Sequence, residues 1–312
     1  MGTSEFGVPS LRALRVCHEV AAVVTRPDSR SGRGLRLTPS PVKGAAQEMG
    51  LPVLDPANLS APEFIEALRC IRADLFFVAA FRILPPAVHT MPPLGTVNLH
   101  GSLLPDYRGA APIQRAVING DAETGLTTFY IEETIDTGDI ILTERVPIGP
   151  DETAGELEER MRVIGADMAA RTVGLIAAGA APRIPQPKQA GRPAPKLAKE
   201  DGRIDWRHDA RSVHNLVRGM NPEPGALTVW ERGMLKIHRT RIADEESSGI
   251  PGTVADASPT DGFSVWCGRG RLAIREIQPV GKRPMDGAAF VRGYRIEPGT
   301  VFSGNLSAGS SV

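Results

Sequence analysis

The sequence predicts an α/β protein in which a mostly parallel sheet, covered by helices on both faces, is followed by a small β-barrel. The chain has 312 residues, which is enough for two domains of about 150 residues each. Its first two-thirds alternate continuous apolar runs with helical patterns, as buried parallel strands and their crossover helices do. Beyond residue 200 the apolar segments become short and alternating, which is typical of a small barrel.

The elements of the first part follow one another regularly along the chain. Gly50 provides a stop signal after the first predicted helix, and Asp151 or Thr153 opens the last one. We expect strands at Glu19–Thr25, Asp74–Ala80, Gly95–His100, Leu126–Glu132 and Asp139–Ile148, and helices at Pro41–Met49, Pro62–Arg72, Ala111–Asn119 and Thr153–Ala178.

The pattern changes at Gly179–Pro195, which carries five prolines and little periodicity, as an extended linker would. The tail Ser303–Val312 is small and polar, which predicts disorder. The predicted domains are therefore residues 1–182, a basic proline-rich linker at 183–200, and residues 201–312 with their tail. Within the last domain we expect strands at Arg203–Trp206, Ala226–Glu231, Leu235–Arg241, Phe263–Cys267 and Leu272–Ile277.

Composition excludes several classes of protein. No apolar run approaches the roughly 20 residues that span a bilayer, and the N-terminus lacks a signal peptide's features, so we expect a cytoplasmic protein with no membrane partner. The three cysteines form no pair or cluster with the six histidines, which argues against a disulfide framework and a structural zinc site. Aromatic residues are sparse at 5%, which disfavours binding by base stacking alone.

Charge is balanced overall, with 36 basic and 36 acidic residues, but it is unevenly distributed. Residues 183–200 hold five Lys and Arg against one Glu, and residues 201–312 hold 15 against 13 Asp and Glu. A basic second part is consistent with contact to a polyanion. Chance scatter in a neutral protein explains these counts equally well.

The residues that point to chemistry lie at the end of the predicted strand Gly95–His100. Asn98 and His100 are two positions apart, so both side chains project from one face. They fall at the carboxyl end of the strand, where open α/β sheets bind ligands. An amide donor beside an imidazole suits a reaction that develops an oxyanion and moves a proton near neutral pH. Alone, an Asn-x-His pair is also compatible with a structural role.

Asp136 lies in the glycine-containing segment Ile135–Asp139. Such a residue by itself indicates a turn; beside Asn98 and His100, it would orient the imidazole or position a water. The sequence offers this group no covalent nucleophile, because it contains neither a Gly-x-Ser-x-Gly elbow nor a Walker A motif. We therefore expect direct group transfer through an oxyanion.

These residues resemble those of the folate-dependent formyltransferases. The likeness rests first on Asn98-x-His100-x-Ser102-Leu103-Leu104-Pro105 with the later Asp136. Other segments are similar to the members of that family that formylate methionyl initiator tRNA. These segments are Gly2–Phe6, Thr25–Asp28, Ser40–Lys43, Arg108–Gln114, Ala194–Leu197, Glu200–Trp206 and Arg218–Ala226.

The resemblance implies a Rossmann-like catalytic domain and an OB-like barrel that binds tRNA. It implies transfer of the formyl group of 10-formyltetrahydrofolate to the α-amine of methionyl initiator tRNA, with no metal, by a monomer. Asn98 would stabilise the oxyanion and His100 would shuttle a proton. Asp136 would orient His100 and assist deprotonation of the attacking amine through water.

The resemblance also implies two sets of binding residues. The folate would contact Phe81, Arg82, Ile83, Leu84, Ser102, Leu103, Leu104, Pro105 and Asp139. The tRNA would contact an arginine-rich loop and the linker cations, through Arg30, Arg33, Arg36, Lys43, Lys188, Arg192 and Lys196.

Two features depart from the family. Members normally carry a strand before the Gly-Thr turn, whereas Met1 here directly precedes Gly2. We expect that first strand to be absent, through a misassigned start site or a shortened chain. The segment Ala80–Pro85 is also one residue shorter than the family's Ala-Tyr-Gly-x-Ile-Leu-Pro and is closer to phosphoribosylglycinamide formyltransferases.

Two alternatives remain open. A formyltransferase or deformylating hydrolase acting on a small substrate, such as an amino sugar or glycinamide ribotide, would keep the chemistry but would not need the arginine-rich loop or the basic barrel. A non-enzymatic RNA-binding module would not need Asn98, His100 and Asp136.

Overall fold

The computed structural model describes residues 1–31, 36–187, 189 and 191–304, with Arg30, Ser31 and Arg36 described by their backbone alone. The chain divides into two compact units that interleave in sequence. The first unit comprises Met1–Pro112, Thr124–Pro147 and Glu158–Pro195, and the second comprises Ile113–Glu123, Ile148–Leu157 and Lys196–Val312. The predicted domain boundaries after residues 182 and 200 stay predictions.

The described residues form helices and strands along most of the chain. The helices are α1 (Gly7–Cys17), α2 (Pro41–Glu48), α3 (Pro62–Ile71), α4 (Pro86–His89), α5 (Pro112–Ile118), α6 (Ala154–Ala177), α7 (Ala210–Gly219) and α8 (Gly287–Tyr294). The strands are β1 (Val23–Val24), β2 (Ser29–Ser31), β3 (Arg36–Thr38), β4 (Val53–Leu54), β5 (Phe76–Ala79), β6 (Thr96–His100), β7 (Arg108–Gly109), β8 (Glu123–Tyr130), β9 (Ile140–Pro147), β10 (Pro193–Ala194), β11 (Ala226–Trp230), β12 (Gly233–Asp244), β13 (Val254–Ser258), β14 (Gly262–Trp266), β15 (Arg271–Pro279) and β16 (Met285–Asp286).

The first unit is built on a four-stranded sheet with the order β5-β6-β8-β9, beside a parallel pair of β1 and β4. Strands β5 and β6 are parallel, and β8 runs antiparallel to β6. The predicted α/β class is confirmed. The predicted strand Glu19–Thr25 is wrong in extent, because only Val23 and Val24 pair, with β4.

The packing of α6 against β6 determines which way the side chains of β6 point. A Cβ atom on Gly165 of α6 would lie 2.8 Å from Leu99 Cδ2, so the absence of a side chain allows close approach. Leu99 is 2% exposed. Because side chains alternate along a strand, Asn98 and His100 project from the opposite face.

The start of the chain lies between β1 and β5. The Gly2 amide donates to Val24 O at 3.0 Å, and the Ala79 amide donates to Met1 O at 3.0 Å. The terminal amine donates to Phe77 O at 2.6 Å, and burial lowers its pKa to about 5. Beside it lies a cavity of about 530 Å³ lined by apolar side chains that include Leu14. Met1 and Gly2 therefore connect β1 to β5 through backbone hydrogen bonds.

Helix α6 begins where the sequence predicts. Thr153 and Glu156 form a capping box, in which Thr153 Oγ1 accepts from the Glu156 amide at 3.2 Å and Glu156 Oε2 accepts from the Thr153 amide at 2.9 Å. The reciprocal bonds satisfy backbone donors that have no partner inside the helix.

Within the described ranges, no helix is both long enough and apolar enough to cross a bilayer.

The second unit contains an antiparallel sheet with the order β11-β12-β15-β14-β13, and β16 pairs with β15. Its core includes a cluster of aromatic rings, in which Trp230 contacts Phe290, Tyr294 and Phe302 at centroid distances of 5.4 to 6.3 Å. Trp230 is therefore a core residue of this unit, as its strand pattern predicts.

The predicted strand Arg203–Trp206 is wrong, since only Arg203 makes an isolated bridge, to Leu227. The Asp205 carboxylate accepts from the backbone amide of Arg207 at 3.0 Å, and this local bond turns the chain. Helices α7 and α8 were not predicted from the sequence. Each begins with an aspartate cap, Asp209 on the Ser212 amide and Asp286 on the Ala289 amide.

His214 of α7 is a buried, neutral hydrogen-bonding residue of the second unit. It is 3% exposed, its Nε2 lies 3.1 Å from Pro150 O, and its Nδ1 lies 2.9 Å from Thr240 Oγ1. A carbonyl can only accept, so Nε2 carries the proton. Burial, together with the charge of Arg218, lowers the pKa of His214.

We expect protonation of His214 to destabilise the second unit in acid. Its pKa is lower in the folded than in the unfolded chain, so its stabilising contribution is complete above about pH 6.5 and is lost as pH falls below that value. Urea midpoints measured at about pH 7.5 and 5.5 should therefore fall less in His214→Gln than in the wild type. His208 is exposed, and His208→Gln is the matched control; equal pH dependence in all three proteins would contradict the assignment.

Candidate active site

The site is built on the carboxyl end of β6, where Asn98 and His100 share one face. Asn98 is half-buried, and its side-chain amide makes no hydrogen bond to other described residues. His100 is 6% exposed, and its ring contacts Phe129 edge-on at a centroid distance of 6.3 Å. The amide is thus available to a ligand while the imidazole is held by the protein.

The orientation of His100 is set by a backbone carbonyl. Its Nε2 lies 2.9 Å from Tyr107 O, and because a carbonyl only accepts, Nε2 is the protonated nitrogen of the neutral ring. Nδ1 then carries the lone pair and lies 3.8 Å from Asp136 Oδ2. This distance is too long for a hydrogen bond, so Asp136 acts on the ring through its charge.

Asp136 belongs to a tight loop after β8. Its backbone has a φ of +55°, a conformation that residues other than glycine rarely adopt. Its Oδ2 accepts from the Gly109 amide at 2.9 Å, and the side chain is 13% exposed. Behind the loop, a Cβ atom on Gly138 would lie 1.8 Å from Tyr130 O. The loop can pack there only with glycine at 138.

Sequence reasoning missed the backbone groups of Tyr107 and Gly109, which hold His100 and Asp136 respectively. Tyr107 has a φ of +61°, and this turn aims its carbonyl at the imidazole. A Cβ atom on Gly109 would lie 2.5 Å from Ala194 O, where β7 pairs with β10. Carbonyl and amide groups are present in nearly every residue, so no sequence signal could have identified these two.

The predicted folate residues after β6 pack inward through their side chains. Ser102 Oγ donates to Asp106 O at 2.6 Å, and Leu104 packs with Phe129 and Ile140. Leu103 closely approaches Gly125. Leu103 and Pro105 are half-buried, and the role of Ser102–Pro105 stays a prediction.

The predicted folate segment Phe81–Leu84 has irregular backbone. Leu84 belongs to an apolar core cluster, against which Phe81 packs, and Ile83 is 75% exposed. The Arg82 guanidinium donates to Pro56 O at 2.8 Å and Ala57 O at 3.0 Å. The Asp139 carboxylate lies 3.8 Å from the Arg183 guanidinium.

The structure places some of the predicted tRNA residues and leaves others undescribed. Lys43 Nζ lies 2.7 Å from both Asp28 Oδ1 and Asp55 Oδ2, and these hydrogen bonds raise its pKa. The Arg192 guanidinium lies over the Tyr107 ring at 4.5 Å, and Lys196 is exposed. Arg33 and Lys188 lie outside the described residues, as do the side chains of Arg30 and Arg36.

The described residues contain no group of three or more His, Cys, Asp or Glu placed to hold a metal ion. What the site offers is an amide donor, an imidazole with one free nitrogen and a carboxylate, at the carboxyl edge of an α/β sheet. This arrangement can stabilise an oxyanion and move a proton. Fold and site together define a group-transfer enzyme that works on a carbonyl centre.

Comparison with known proteins identifies the family. The family model described as formyl transferase matches residues 2–173, and that of the formyl transferase C-terminal domain matches residues 196–295. The chain belongs to the formyl transferase family.

Curated relatives match nearly the whole chain. Methionyl-tRNA formyltransferase of Moorella thermoacetica is 46% identical over 303 residues, which cover 96% of this chain and 97% of the relative. The protein of the same name from Symbiobacterium thermophilum is 47% identical, and the match covers 97% of this chain and 94% of the relative.

Solved structures with the same fold are more distant in sequence. WlaRD, a sugar 3N-formyl transferase crystallised with dTDP and 5-N-formyl-THF, is 18% identical with a TM-score of 0.67, covering 90% of this chain and 97% of its own. HypX from Aquifex aeolicus, in complex with tetrahydrofolic acid, is 19% identical with a TM-score of 0.58, covering 78% of this chain and 43% of its own. At these identities the likeness concerns the fold.

Three substitutions test the catalytic group. Asn98→Ala and His100→Ala should each lower formyl-transfer turnover by about 10²–10³-fold or more, the scale of losing an oxyanion donor for Asn98 and acid–base assistance for His100. Asp136→Asn keeps an acceptor for the Gly109 amide but removes the charge beside Nδ1, and it should cost about 10²–10⁴-fold, as expected for lost acid–base assistance.

Asp167→Asn is the control for these variants, since Asp167 is exposed on α6 and pairs with Arg171 on the same helix. The measurement is single-turnover formyl transfer by folded protein. Near-normal turnover in any one variant would remove that residue from the catalytic group.

Proposed function

We propose that this chain transfers the formyl group of 10-formyltetrahydrofolate to the α-amine of methionyl initiator tRNA, giving N-formylmethionyl-tRNA for translation initiation. The observation that carries this proposal is the likeness over nearly the whole chain, at 46–47% identity, to methionyl-tRNA formyltransferases. The arrangement of Asn98, His100 and Asp136 supports it with a suitable chemistry.

The catalytic residues divide the work in the proposed reaction. The Asn98 amide donates to the formyl oxygen and stabilises the oxyanion that forms when the amine nitrogen bonds to the formyl carbon. His100 can take up a proton only at Nδ1, because Nε2 already donates to Tyr107 O. The Asp136 carboxylate, 3.8 Å from Nδ1, stabilises the imidazolium. The proton that His100 has taken up from the amine reaches the folate nitrogen as the bond between that nitrogen and the formyl carbon breaks.

Residues 81–84 fit the proposed folate. Their backbone N–H and C=O groups make no hydrogen bond to other described residues. Backbone groups without a protein partner suit a flat heterocycle whose edge carries both donors and acceptors, while Phe81 and Leu84 supply an apolar floor. We propose that Phe81–Leu84 and Ser102–Pro105 contact the folate through their backbone and that Asp139 closes the same pocket.

The tRNA would be bound mainly through phosphates. Arg30, Arg33 and Arg36 concentrate positive charge between residues 30 and 36, and Lys188, Arg192 and Lys196 add cations further along. Contacts of this kind position an RNA and depend on salt. Lys43, held by Asp28 and Asp55, would shape the base of the arginine-rich segment rather than contact phosphate itself. We further propose that the protein acts in the cytoplasm as a monomer.

An acceptor assay tests the proposed function. The wild-type chain should transfer a labelled formyl group from 10-formyltetrahydrofolate to methionyl initiator tRNA and not to a panel of amino sugars and glycinamide ribotide. Transfer to a small amine alone would establish the alternative acceptor class. Failure with every acceptor, in protein shown by circular dichroism to be folded, would contradict the proposed function.

Arg33→Ala should weaken use of tRNA while leaving folate binding unchanged, because its proposed partner is a phosphate. We expect a higher KM for methionyl-tRNA and a slope of log KM against log salt that is smaller by about 1. Arg15 is an exposed arginine of α1, and Arg15→Ala is the matched control. An equal loss of tRNA and folate affinity in Arg33→Ala would contradict the assignment.

A further inference from the structure

Gln186 links the two parts of the active site that hold His100 and Asp136. It lies in the proline-rich stretch that the sequence presents as a linker. Its Nε2 donates to Asp136 O and to Gly138 O, both at 2.9 Å. Its Oε1 accepts from Arg108 Nε at 3.2 Å and from Arg108 Nη2 at 2.6 Å.

These four bonds use the full hydrogen-bonding capacity of the side chain. A primary amide has two N–H donors and an oxygen with two lone pairs. The partners also determine which way the amide is oriented, because a guanidinium can only donate and a backbone carbonyl can only accept. Gln186 therefore has a single orientation that satisfies all of its neighbours.

The partners of Gln186 adjoin the backbone groups that hold His100 and Asp136. Arg108 lies between Tyr107, whose carbonyl accepts from His100, and Gly109, whose amide donates to Asp136. On the other side, the two carbonyls belong to the Asp136 loop itself. One side chain thus links the backbone of that loop to the guanidinium of Arg108, which lies in the segment that orients His100.

Gln186 is itself held on both sides along the chain. Before it, Ile184 exchanges two backbone hydrogen bonds with Ile140, at 2.8 and 3.0 Å. After it, β10 pairs in parallel with β7, and the Tyr107 amide donates to Arg192 O at 2.5 Å. The described residues on either side of Gln186 therefore lie at defined points along the active site.

We propose that Gln186 is a positioning residue for the formyl-transfer reaction, and this inference rests on the proposed function. The left-handed backbone of Asp136 is intrinsically costly and persists only where surrounding contacts enforce it. The two bonds from Gln186 Nε2 supply such contacts. Without them the loop relaxes, and the Asp136 carboxylate moves relative to Nδ1 of His100.

Gln186→Glu separates this role from a general structural one. The variant retains an oxygen for Arg108 but replaces the donor nitrogen by an oxygen that faces two carbonyls. We expect kcat to fall by about 10²-fold, the cost of misplacing a catalytic group by about an ångström. The KM values for folate and acceptor should stay close to those of the wild type. Gln186→Met, of similar length but without donor or acceptor, should show the same loss.

Gln47 is exposed on α2, and Gln47→Ala is the matched control. Folding is followed by thermal unfolding, and the folate site by equilibrium binding of 5-formyltetrahydrofolate, which does not depend on turnover. A wild-type kcat in folded Gln186→Glu or Gln186→Met would overturn the inference. A loss of folate binding in proportion to the loss of kcat would overturn it as well, since the role would then be structural.

The failure of this inference can be told apart from failure of the proposed function. The comparison uses whichever acceptor the wild type formylates in the acceptor assay. A wild type that uses only a small amine would contradict the proposed acceptor, while the effect of Gln186 on kcat would still be measured. A wild type without turnover on any acceptor would overturn both.

Discussion

The hydrogen bond between His100 Nε2 and Tyr107 O, 2.9 Å long, is the interaction on which the active site depends. Because a carbonyl only accepts, this bond places the ring proton on Nε2 and leaves Nδ1 with its lone pair toward Asp136. The site then contains an imidazole whose Nδ1 is 3.8 Å from a carboxylate oxygen. The opposite tautomer would present a lone pair to the carbonyl and would lose both the bond and the proton acceptor.

The fold supplies that bond through close backbone packing. Alternation along β6 directs His100 toward the site because Leu99 is packed against Gly165 of α6. The left-handed turn at Tyr107 aims the carbonyl, and Gly109 allows β7 to approach β10 closely. A side chain at Gly109 would clash with Ala194 O beside the amide that holds Asp136, and one at Gly165 would displace Leu99, which precedes His100. The chemistry therefore depends on residues that carry no functional group of their own.

Part of this arrangement could be predicted from the sequence. The period of two along β6 places Asn98 and His100 on one face, and the Thr153–Glu156 pattern marks the start of α6. Spacing alone could not bring Asp136 to His100; the sequence offered that role only if the two lie together, and the resemblance implied that they do. The roles of Tyr107, Gly109 and Gln186 were missed. Tyr107 and Gly109 act through backbone groups, and Gln186 bonds backbone groups that lie far from it along the chain. Neither kind of contact leaves a local sequence pattern. The proline-rich composition around Gln186 predicts an extended segment, but composition does not show what that segment lies against.

Neutralisation by neighbouring carboxylates limits which cations can bind a polyanion. Lys43 lies in a segment that resembles its relatives, yet its ammonium is held by Asp28 and Asp55. Breaking those bonds to reach a phosphate would exchange one set of charge-assisted hydrogen bonds for another and would leave two carboxylates beside the RNA. Lys196 is exposed, and the structure gives its ammonium no carboxylate partner among the described residues. Counting basic residues therefore overstates the surface available to tRNA, and cations without acidic neighbours should carry most of its salt dependence.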